Sequence, residues 1–204
     1  MEQQVNYLAY LDSFNQNKQE ILKDTSIRAL IQDSIQREKL INEIFAGYAY
    51  PINNPLGTIY QEENKDTSAL EEKIEKAGWQ KNDQGIYTKG SGDTVKILSL
   101  DLSTPNTEDL IELAQKIKTG LREKGIQINI RIFDEADLHQ KVIRPRDYEI
   151  LLFGYMLEKD TDLYAFWHSS QKNDPGLNIG LYSNSIVDKE LEKLRKDKST
   201  ANLT

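Results

Sequence analysis

The stretch that decides the fold is residues 94–133, TVKILSLDLSTPNTEDLIELAQKIKTGLREKGIQINIRIF. Its first part alternates apolar and polar residues, which predicts a strand over residues 94–102. Pro105-Asn106-Thr107 then opens a helix with apolar residues at helical spacing, Gly125 ends it, and Gln127 to Phe133 predicts a second strand. Two strands joined by a long helix form a right-handed βαβ crossover, which requires parallel pairing. The sequence therefore predicts an α/β fold.

The flanking segments add further elements around this crossover. We expect an edge strand at Val5 to Leu11, one helix or two abutting helices over residues 25–46, and a short helix that Gly78 ends. Later in the chain we expect a short helix over residues 134–142, a buried third strand over 148–154, a helical turn at 163–167 and a last helix over 185–196. Residues 197–204 carry no pattern and are predicted to form a disordered tail.

Composition narrows the class of protein. No run of 18 apolar residues occurs, so the sequence predicts no membrane-spanning helix, and the first residues do not form a signal peptide. The formal net charge is −7, with basic and acidic side chains interspersed, which argues against a nucleic-acid partner. The absence of cysteine excludes a disulfide framework and thiolate metal sites. The two histidines have no histidine partner at helical spacing, so we expect neither a metal site nor a cofactor.

The residues of greatest chemical interest follow the third predicted strand, in residues 154–170, GYMLEKDTDLYAFWHSS. Ligand sites of α/β folds lie beyond the carboxyl ends of the strands, where a carboxylate of Asp160 or Asp162 can neutralise a ligand ammonium group. Aromatic residues around this acidic loop suit a pocket wall that contacts variable side chains. The plainer alternatives stay open: loop capping for the aspartates, and ordinary packing for the aromatic residues and His168.

Four blocks of the chain form a pattern whose order and spacing cover nearly the whole sequence. The blocks are Asp24 with Arg28-Ala29-Leu30 and Gly47, Ala77-Gly78-Trp79 with Gly85-Ile86, the crossover from Leu98 to Ile126, and Asp147-Tyr148 through Phe166-Trp167-His168 to Asn178, Tyr182 and Asp188. Together they resemble the peptide-binding (family 5) solute-binding proteins of ABC importers. The sequence departs from the family pattern at Tyr155, where tryptophan is frequent, at Thr161 and Leu163, where proline is frequent, and at Ser34, where alanine is frequent.

This resemblance implies an α/β, type II periplasmic-binding-protein-like lobe, whose mixed, mainly parallel sheet carries helices on both faces. It implies that residues 1–196 form an incomplete C-terminal lobe of a two-lobed, extracytoplasmic protein, with the question of a lipid anchor left open. Such a protein closes with its N-terminal lobe around a peptide ligand and delivers it to ABC permease subunits. By position and chemistry, we expect the ligand-facing wall to contain Tyr155, Asp160, Asp162, Phe166, Trp167 and His168.

Three alternatives remain. One is a receptor of the same fold for another solute, such as a metal chelate, an oligosaccharide or a signalling peptide, and another is a stand-alone interaction module. The third is a small α/β enzyme, but no nucleotide-binding, nucleophile-elbow or zinc-protease motif occurs, so we predict no catalytic residues. Hydrogen bonds from His168 to both a serine and a carboxylate would favour an enzyme.

Overall fold

The computed structural model describes residues 13–50, 66–154 and 162–201. The predicted strand at Val5 to Leu11 and two expected site residues, Tyr155 and Asp160, lie outside the described residues. None of the helices in the described ranges combines the length and apolar character needed to cross a bilayer.

The elements follow one another in a mixed order of helices and strands. The strands are β1 (Ser13–Phe14), β2 (Gln80–Lys81), β3 (Tyr87–Lys89), β4 (Lys96–Ile97), β5 (Ser99–Pro105), β6 (Gln127–Phe133) and β7 (Ile150–Leu151). The helices are α1 (Thr25–Asp33), α2 (Arg37–Phe45), α3 (Ser68–Lys76), α4 (Glu108–Glu123), α5 (Glu135–Asp137), α6 (Leu163–Trp167) and α7 (Ser185–Ala201). Helix α5 continues as a π-helical segment, Leu138–Ile143, and 3₁₀ turns occur at Glu20–Lys23, Gly92–Thr94 and Ser169–Gln171.

The main sheet has the strand order β1-β7-β5-β6. Strands β5 and β6 pair in parallel over seven residues, with Ser99 opposite Gln127, and α4 connects them and packs against both. Strand β7 is parallel to β5, whereas β1 is antiparallel to β7. The predicted crossover and the mainly parallel sheet are therefore confirmed.

The two faces of this sheet have different coverings. One face packs Leu100, Leu102 and Ile128 into a large core that α1, α3 and α4 close. The carboxyl half of the other face packs Leu151 against the π-helical segment. The amino half of that second face is polar and partly solvent-exposed; we call it the polar half-face, and it comprises Ser99, Asp101, Gln127, Asn129, Arg131 and Glu149. Helices on both faces, as predicted, are thus observed, although they leave the polar half-face uncovered.

Two predicted strands differ from the structure. The strand expected over residues 94–102 is divided, because β4 belongs to a separate antiparallel sheet of order β2-β3-β4. Leu98 lies at the division: its N–H donates to the Tyr87 carbonyl in the small sheet (2.8 Å), and its carbonyl accepts from Gln127 in the main sheet (2.9 Å). The strand expected over residues 148–154 is shorter: β7 covers only Ile150–Leu151, which pair with β1 on one side and β5 on the other.

The helices agree more closely than the strands with the prediction from the sequence. Residues 25–46 form two helices, α1 and α2, one of the two predicted possibilities. Asp24 caps α1 by accepting from the Ser26 N–H at 2.8 Å. Helix α7 runs to Ala201, beyond the predicted boundary at residue 196.

Candidate functional site

The candidate site lies at the carboxyl edge of the parallel strands. After β7 the chain leaves this edge through Gly154, and the described structure resumes at Asp162, the residue that precedes α6. Because the carboxyl ends of β5 and β7 share this edge, α6 stands where ligands of open α/β sheets usually bind.

Asp162 is engaged by two neighbours. Its carboxylate caps α6 by accepting from the Tyr164 N–H at 3.1 Å, and its other oxygen lies 3.2 Å from the Arg195 guanidinium on α7. A ligand ammonium group would therefore have to compete with Arg195 for this carboxylate.

The aromatic side chains of α6 form stacked contacts. The Tyr164 ring lies against the His168 ring, with centroids 4.1 Å apart and planes 15° apart, and the Arg195 guanidinium covers the Tyr164 ring at 4.4 Å. Trp167 meets Tyr182 edge to face at 6.1 Å. Phe166 and Trp167 are half-buried, so they pack against the protein and still expose aromatic surface. Such mixed burial suits a wall that packs well and can contact a ligand.

His168 is buried and lies between a serine and carboxylates. Its Nδ1 is 2.8 Å from the Ser170 hydroxyl and also accepts the Ser170 N–H at 3.1 Å, which caps the 3₁₀ turn. Its Nε2 lies 3.5 Å from Glu192 Oε1 and 4.0 Å from Asp188 Oδ1, and among the described residues it has no hydrogen-bond partner at normal distance. His168 therefore both packs against a neighbouring ring and forms hydrogen bonds, which are the structural alternatives to a ligand-binding role.

Of the two hydrogen bonds that would favour an enzyme, His168 makes the one to a serine, whereas the nearer carboxylate oxygen, on Glu192, is 3.5 Å from Nε2; the geometry is that of a cap. The single lone pair of Nδ1 is shared between the Ser170 N–H and hydroxyl, and the serine oxygen is also near Tyr164 and Gln171. The separation of 3.5 Å from Glu192 is too long for the hydrogen bond that orients a catalytic base. Within the described ranges, no group of three or more histidine or acidic side chains is arranged to hold a metal ion.

Helix α7 also fixes the turn after α6. Asp188 accepts the N–H of Ser169 at 2.9 Å and its hydroxyl at 2.7 Å. These two hydrogen bonds, the hydroxyl first, lower the pKa of Asp188 below its ordinary value, so it is ionised at neutral pH. Asp188 and Glu192 are four residues apart and share one face of α7, which they turn towards His168.

Two buried polar residues hold the loop that follows. Asn178 is fully buried, and its amide donates to the carbonyls of His168 (3.1 Å) and Tyr182 (2.9 Å) while it accepts the Tyr182 N–H. Arg146 donates from Nε to the Lys172 carbonyl (2.9 Å) and from Nη2 to the Gly176 carbonyl (2.7 Å). The loop after α6 is therefore anchored on both sides.

A separate cleft of about 490 Å³ lies between the α1–α2 junction and the second half of α4. Since α4 begins at the carboxyl edge of β5 and runs back along the sheet, this cleft is at the opposite end of the lobe from α6. Its walls carry lysines and glutamates, of which Lys116 and Glu43 pair at 2.8 Å.

The structure brings four of the six expected wall residues together on α6 and its caps: Asp162, Phe166, Trp167 and His168. Sequence reasoning did not find Arg195 and Glu192 as neighbours of these residues. The four-residue spacing of Asp188 and Glu192 indicates that both lie on one face of a helix. The local sequence does not indicate which other element packs against that face of α7.

A family model and two curated relatives match this chain over most of its length. Residues 2–175 match the model of the family described as bacterial extracellular solute-binding proteins, family 5 Middle. The oligopeptide-binding protein AppA of Bacillus subtilis is 27% identical over 192 residues, 88% of this chain and 34% of AppA. The nickel-binding protein NikA of Staphylococcus aureus is 28% identical over 171 residues, 83% of this chain and 33% of NikA. The chain thus spans about a third of the length of these relatives.

Solved structures show the same fold. AppA of Bacillus subtilis in complex with a nonapeptide superposes with a TM-score of 0.71 at 22% identity, over 93% of this chain and 40% of that one. NikZ of Campylobacter jejuni in complex with Ni(L-His) gives 0.73 at 23% identity, over 95% and 41%. The expected type II periplasmic-binding-protein-like fold is confirmed, and the extent of the family match decides the family. The chain belongs to the bacterial extracellular solute-binding proteins of family 5.

Proposed function

We propose that this chain is part of the C-terminal lobe of an extracytoplasmic solute-binding protein, which closes with an N-terminal lobe around a peptide and delivers it to an ABC permease. The observation that carries the proposal is the position of α6: a half-buried aromatic segment, anchored by α7 and Asn178, at the carboxyl edge of the main sheet. Family membership and the resemblance to an oligopeptide-binding relative support the same function.

In this proposal Tyr155, Phe166, Trp167 and His168 contribute to the ligand-facing wall. Asp160 is the better counter-charge for a ligand amino group, because both oxygens of Asp162 already have partners. Closure of the second lobe would then exclude water and strengthen this charge interaction.

A receptor for a metal chelate is the second candidate, since one relative is a nickel-binding protein and a matching structure holds Ni(L-His). The two candidate functions differ in the charge that the ligand requires in the binding site. A peptide presents an ammonium group to Asp160, whereas a chelate without a free amino terminus does not require that carboxylate.

A chimera tests the function. The third of AppA that this chain matches is replaced by the complete chain, and binding of a nonapeptide and of Ni(L-His) is measured by calorimetry. Nonapeptide binding supports the proposal, and binding of Ni(L-His) alone favours the second candidate. A chimera with a native-like circular dichroism spectrum that binds neither ligand would contradict both.

Two variants of the chimera localise the site. Asp160→Asn should weaken binding of the nonapeptide but not of its N-acetylated form, because only the free peptide carries the ammonium group. Asp93→Asn, in the exposed turn before β4, is the matched control and should change neither affinity.

We also infer that the chain is not an enzyme and that His168 and Ser170 form a structural cap. A fluorophosphonate probe, which labels activated serines, should not modify the chain. Labelling that disappears in Ser170→Ala and persists in Ser169→Ala would overturn this inference.

A further inference from the structure

The Tyr164 ring on α6 has a stacked side chain on each face. The His168 ring lies 4.1 Å from it with planes 15° apart, and the Arg195 guanidinium lies 4.4 Å from its centroid. One face has room for only one group at stacking distance, so His168 and Arg195 cover opposite faces. The Tyr164 hydroxyl is also 3.3 Å from the Ser170 hydroxyl. The ring is therefore held by His168 and Ser170 independently of Arg195.

The face that Arg195 covers has the chemistry of a site for an organic cation. It combines the π surface of Tyr164 with Oδ2 of Asp162, which lies 3.2 Å from Arg195 Nη2. A planar guanidinium can stack on such a ring and donate in its own plane to the carboxylate. Asp188 and Glu192, on the same helix as Arg195, bring two more carboxylates to the junction of α6 and α7. This face therefore favours a cation, whether that cation belongs to the protein or to a ligand.

The Arg195 contact lies at the surface, and other contacts hold the two helices together. The side chains of Arg195 and Asp162 are 57% and 47% exposed, and ion pairs with such exposure contribute little to stability. Asp188 still holds both the N–H and the hydroxyl of Ser169, and Leu191 on α7 is buried. The guanidinium of Arg195 can therefore leave the Tyr164 ring by side-chain rotation, without separation of α7 from α6.

We propose that Tyr164 and Asp162 form a subsite for the guanidinium group of a ligand, and that Arg195 is an internal competitor which the ligand displaces. Helix α6 stands at the carboxyl edge of the main sheet, so in the proposed function the ligand is a peptide with an arginine side chain. Only this identification of the ligand as a peptide rests on the proposed function. Because the ligand competes with a group of its own chemistry, residue 195 determines how strongly arginine-containing peptides are preferred.

Nuclear magnetic resonance titration of the complete 204-residue chain tests the subsite without a second lobe. The probe is argininamide at millimolar concentrations, observed through the ring signals of Tyr164. Arg195→Ala should bind argininamide about tenfold more tightly than the unsubstituted chain if Arg195 leaves the subsite free for about a tenth of the time. Citrullinamide, in which a neutral urea replaces the guanidinium, should bind neither chain measurably.

Variants in the Arg195→Ala background identify the two binding groups. Asp162→Asn should weaken argininamide binding, because it removes the charge while asparagine still caps α6. Tyr164→Leu should abolish binding, and Tyr164→Phe, which keeps the π surface, should retain it. The phenylalanine variant keeps the comparison valid if the leucine variant fails to fold.

A matched control separates the loss of the competitor from the loss of a positive charge. Lys189→Ala removes the same charge from an exposed position of the same helix. It should leave the affinity for argininamide unchanged. An equal gain in affinity for Lys189→Ala and Arg195→Ala would show a general effect of net charge and would overturn the proposal.

Two other results would overturn it: argininamide binding that Arg195→Ala does not strengthen, and binding of citrullinamide equal to that of argininamide. The chimera with AppA separates this proposal from the proposed function. Argininamide binding by the chain, together with a folded chimera that binds no peptide, would contradict only the proposed function. A chimera whose preference for arginine over citrulline in the nonapeptide is unchanged by Arg195→Ala would contradict only the role of Arg195.

Discussion

At the scale of single residues, Asn178 has the largest structural role near the candidate site. Its buried amide joins the end of α6 to Tyr182 through three backbone carbonyls and one N–H. Asn178→Ala should lower the free energy of unfolding by roughly 2–3 kcal/mol, because buried backbone groups lose their partners. Urea unfolding measures this, with Asn173→Ala in the exposed part of the same loop as control. Equal values for the two variants would contradict this role.

Tyr148 should make stability depend on alkaline pH. Burial raises its pKa from 10.0 to about 12, while the Arg146 charge acts in the opposite direction, and its hydroxyl donates to the Ile179 carbonyl. Because the folded tyrosine keeps its proton where the unfolded chain loses it, the free energy of unfolding falls as pH rises from about 10 to about 12, by roughly 2–3 kcal/mol in total. Tyr148→Phe should show a correspondingly smaller loss in urea unfolding at several pH values. An unchanged pH dependence would contradict the assignment.

The residue scale is also where the sequence was least informative. The acidic pattern before α6 suggested Asp160 or Asp162 as a ligand counter-charge, and the structure gives Asp162 a helix cap and an Arg195 partner. A cap has a local signal, since aspartate directly before a helix is typical of an N-cap. The Arg195 contact has none, because it depends on how α7 packs against α6.

At the scale of elements, local periodicity predicted the crossover well. The bounds of β6 agree with the prediction, and α4 begins one residue after Thr107, because both elements bury one face with a regular repeat. The division between β4 and β5 coincides with a change of phase in the alternation, because Ile97 and Leu98 are consecutive apolar residues. The pattern does not identify the distant partners, Tyr87 and Gln127, between which Leu98 divides its backbone hydrogen bonds.

Two glycines, one inside α4 and one just after it, should change the stability of the chain in opposite directions when each is replaced by alanine. Gly125 joins α4 to β6 at φ +89°, and a Cβ there would lie 2.9 Å from the Gly85 carbonyl oxygen, so Gly125→Ala should destabilise the chain by about 2 kcal/mol or more. Gly120 is inside α4 with open space around it, so Gly120→Ala should stabilise by about 0.5–1 kcal/mol. Thermal and urea unfolding measure both changes. The same sign for both would contradict the proposed causes.

At the scale of the whole molecule, the described structure has its own core and, in the proposed function, supplies only one side of the ligand cleft. We expect the 204-residue chain alone to bind peptide weakly or not at all, because closure contacts from a second lobe are missing. Calorimetric titration with the nonapeptide used for the chimera measures this, and the chimera is the positive control. Micromolar binding by the chain alone would contradict the expectation.

The anchoring of α6 by α7 has a consequence for the order in which the protein is made. Asp188, which holds the turn after α6, and Arg195, which covers the Tyr164 ring, are synthesised after the residues that they contact. While the chain is still on the ribosome, the βαβ crossover is already complete in sequence, but α6 lacks the helix that orients it. The candidate wall therefore takes its final arrangement only late in biosynthesis. A segment with unfixed aromatic side chains is a natural point of contact for chaperones before that moment.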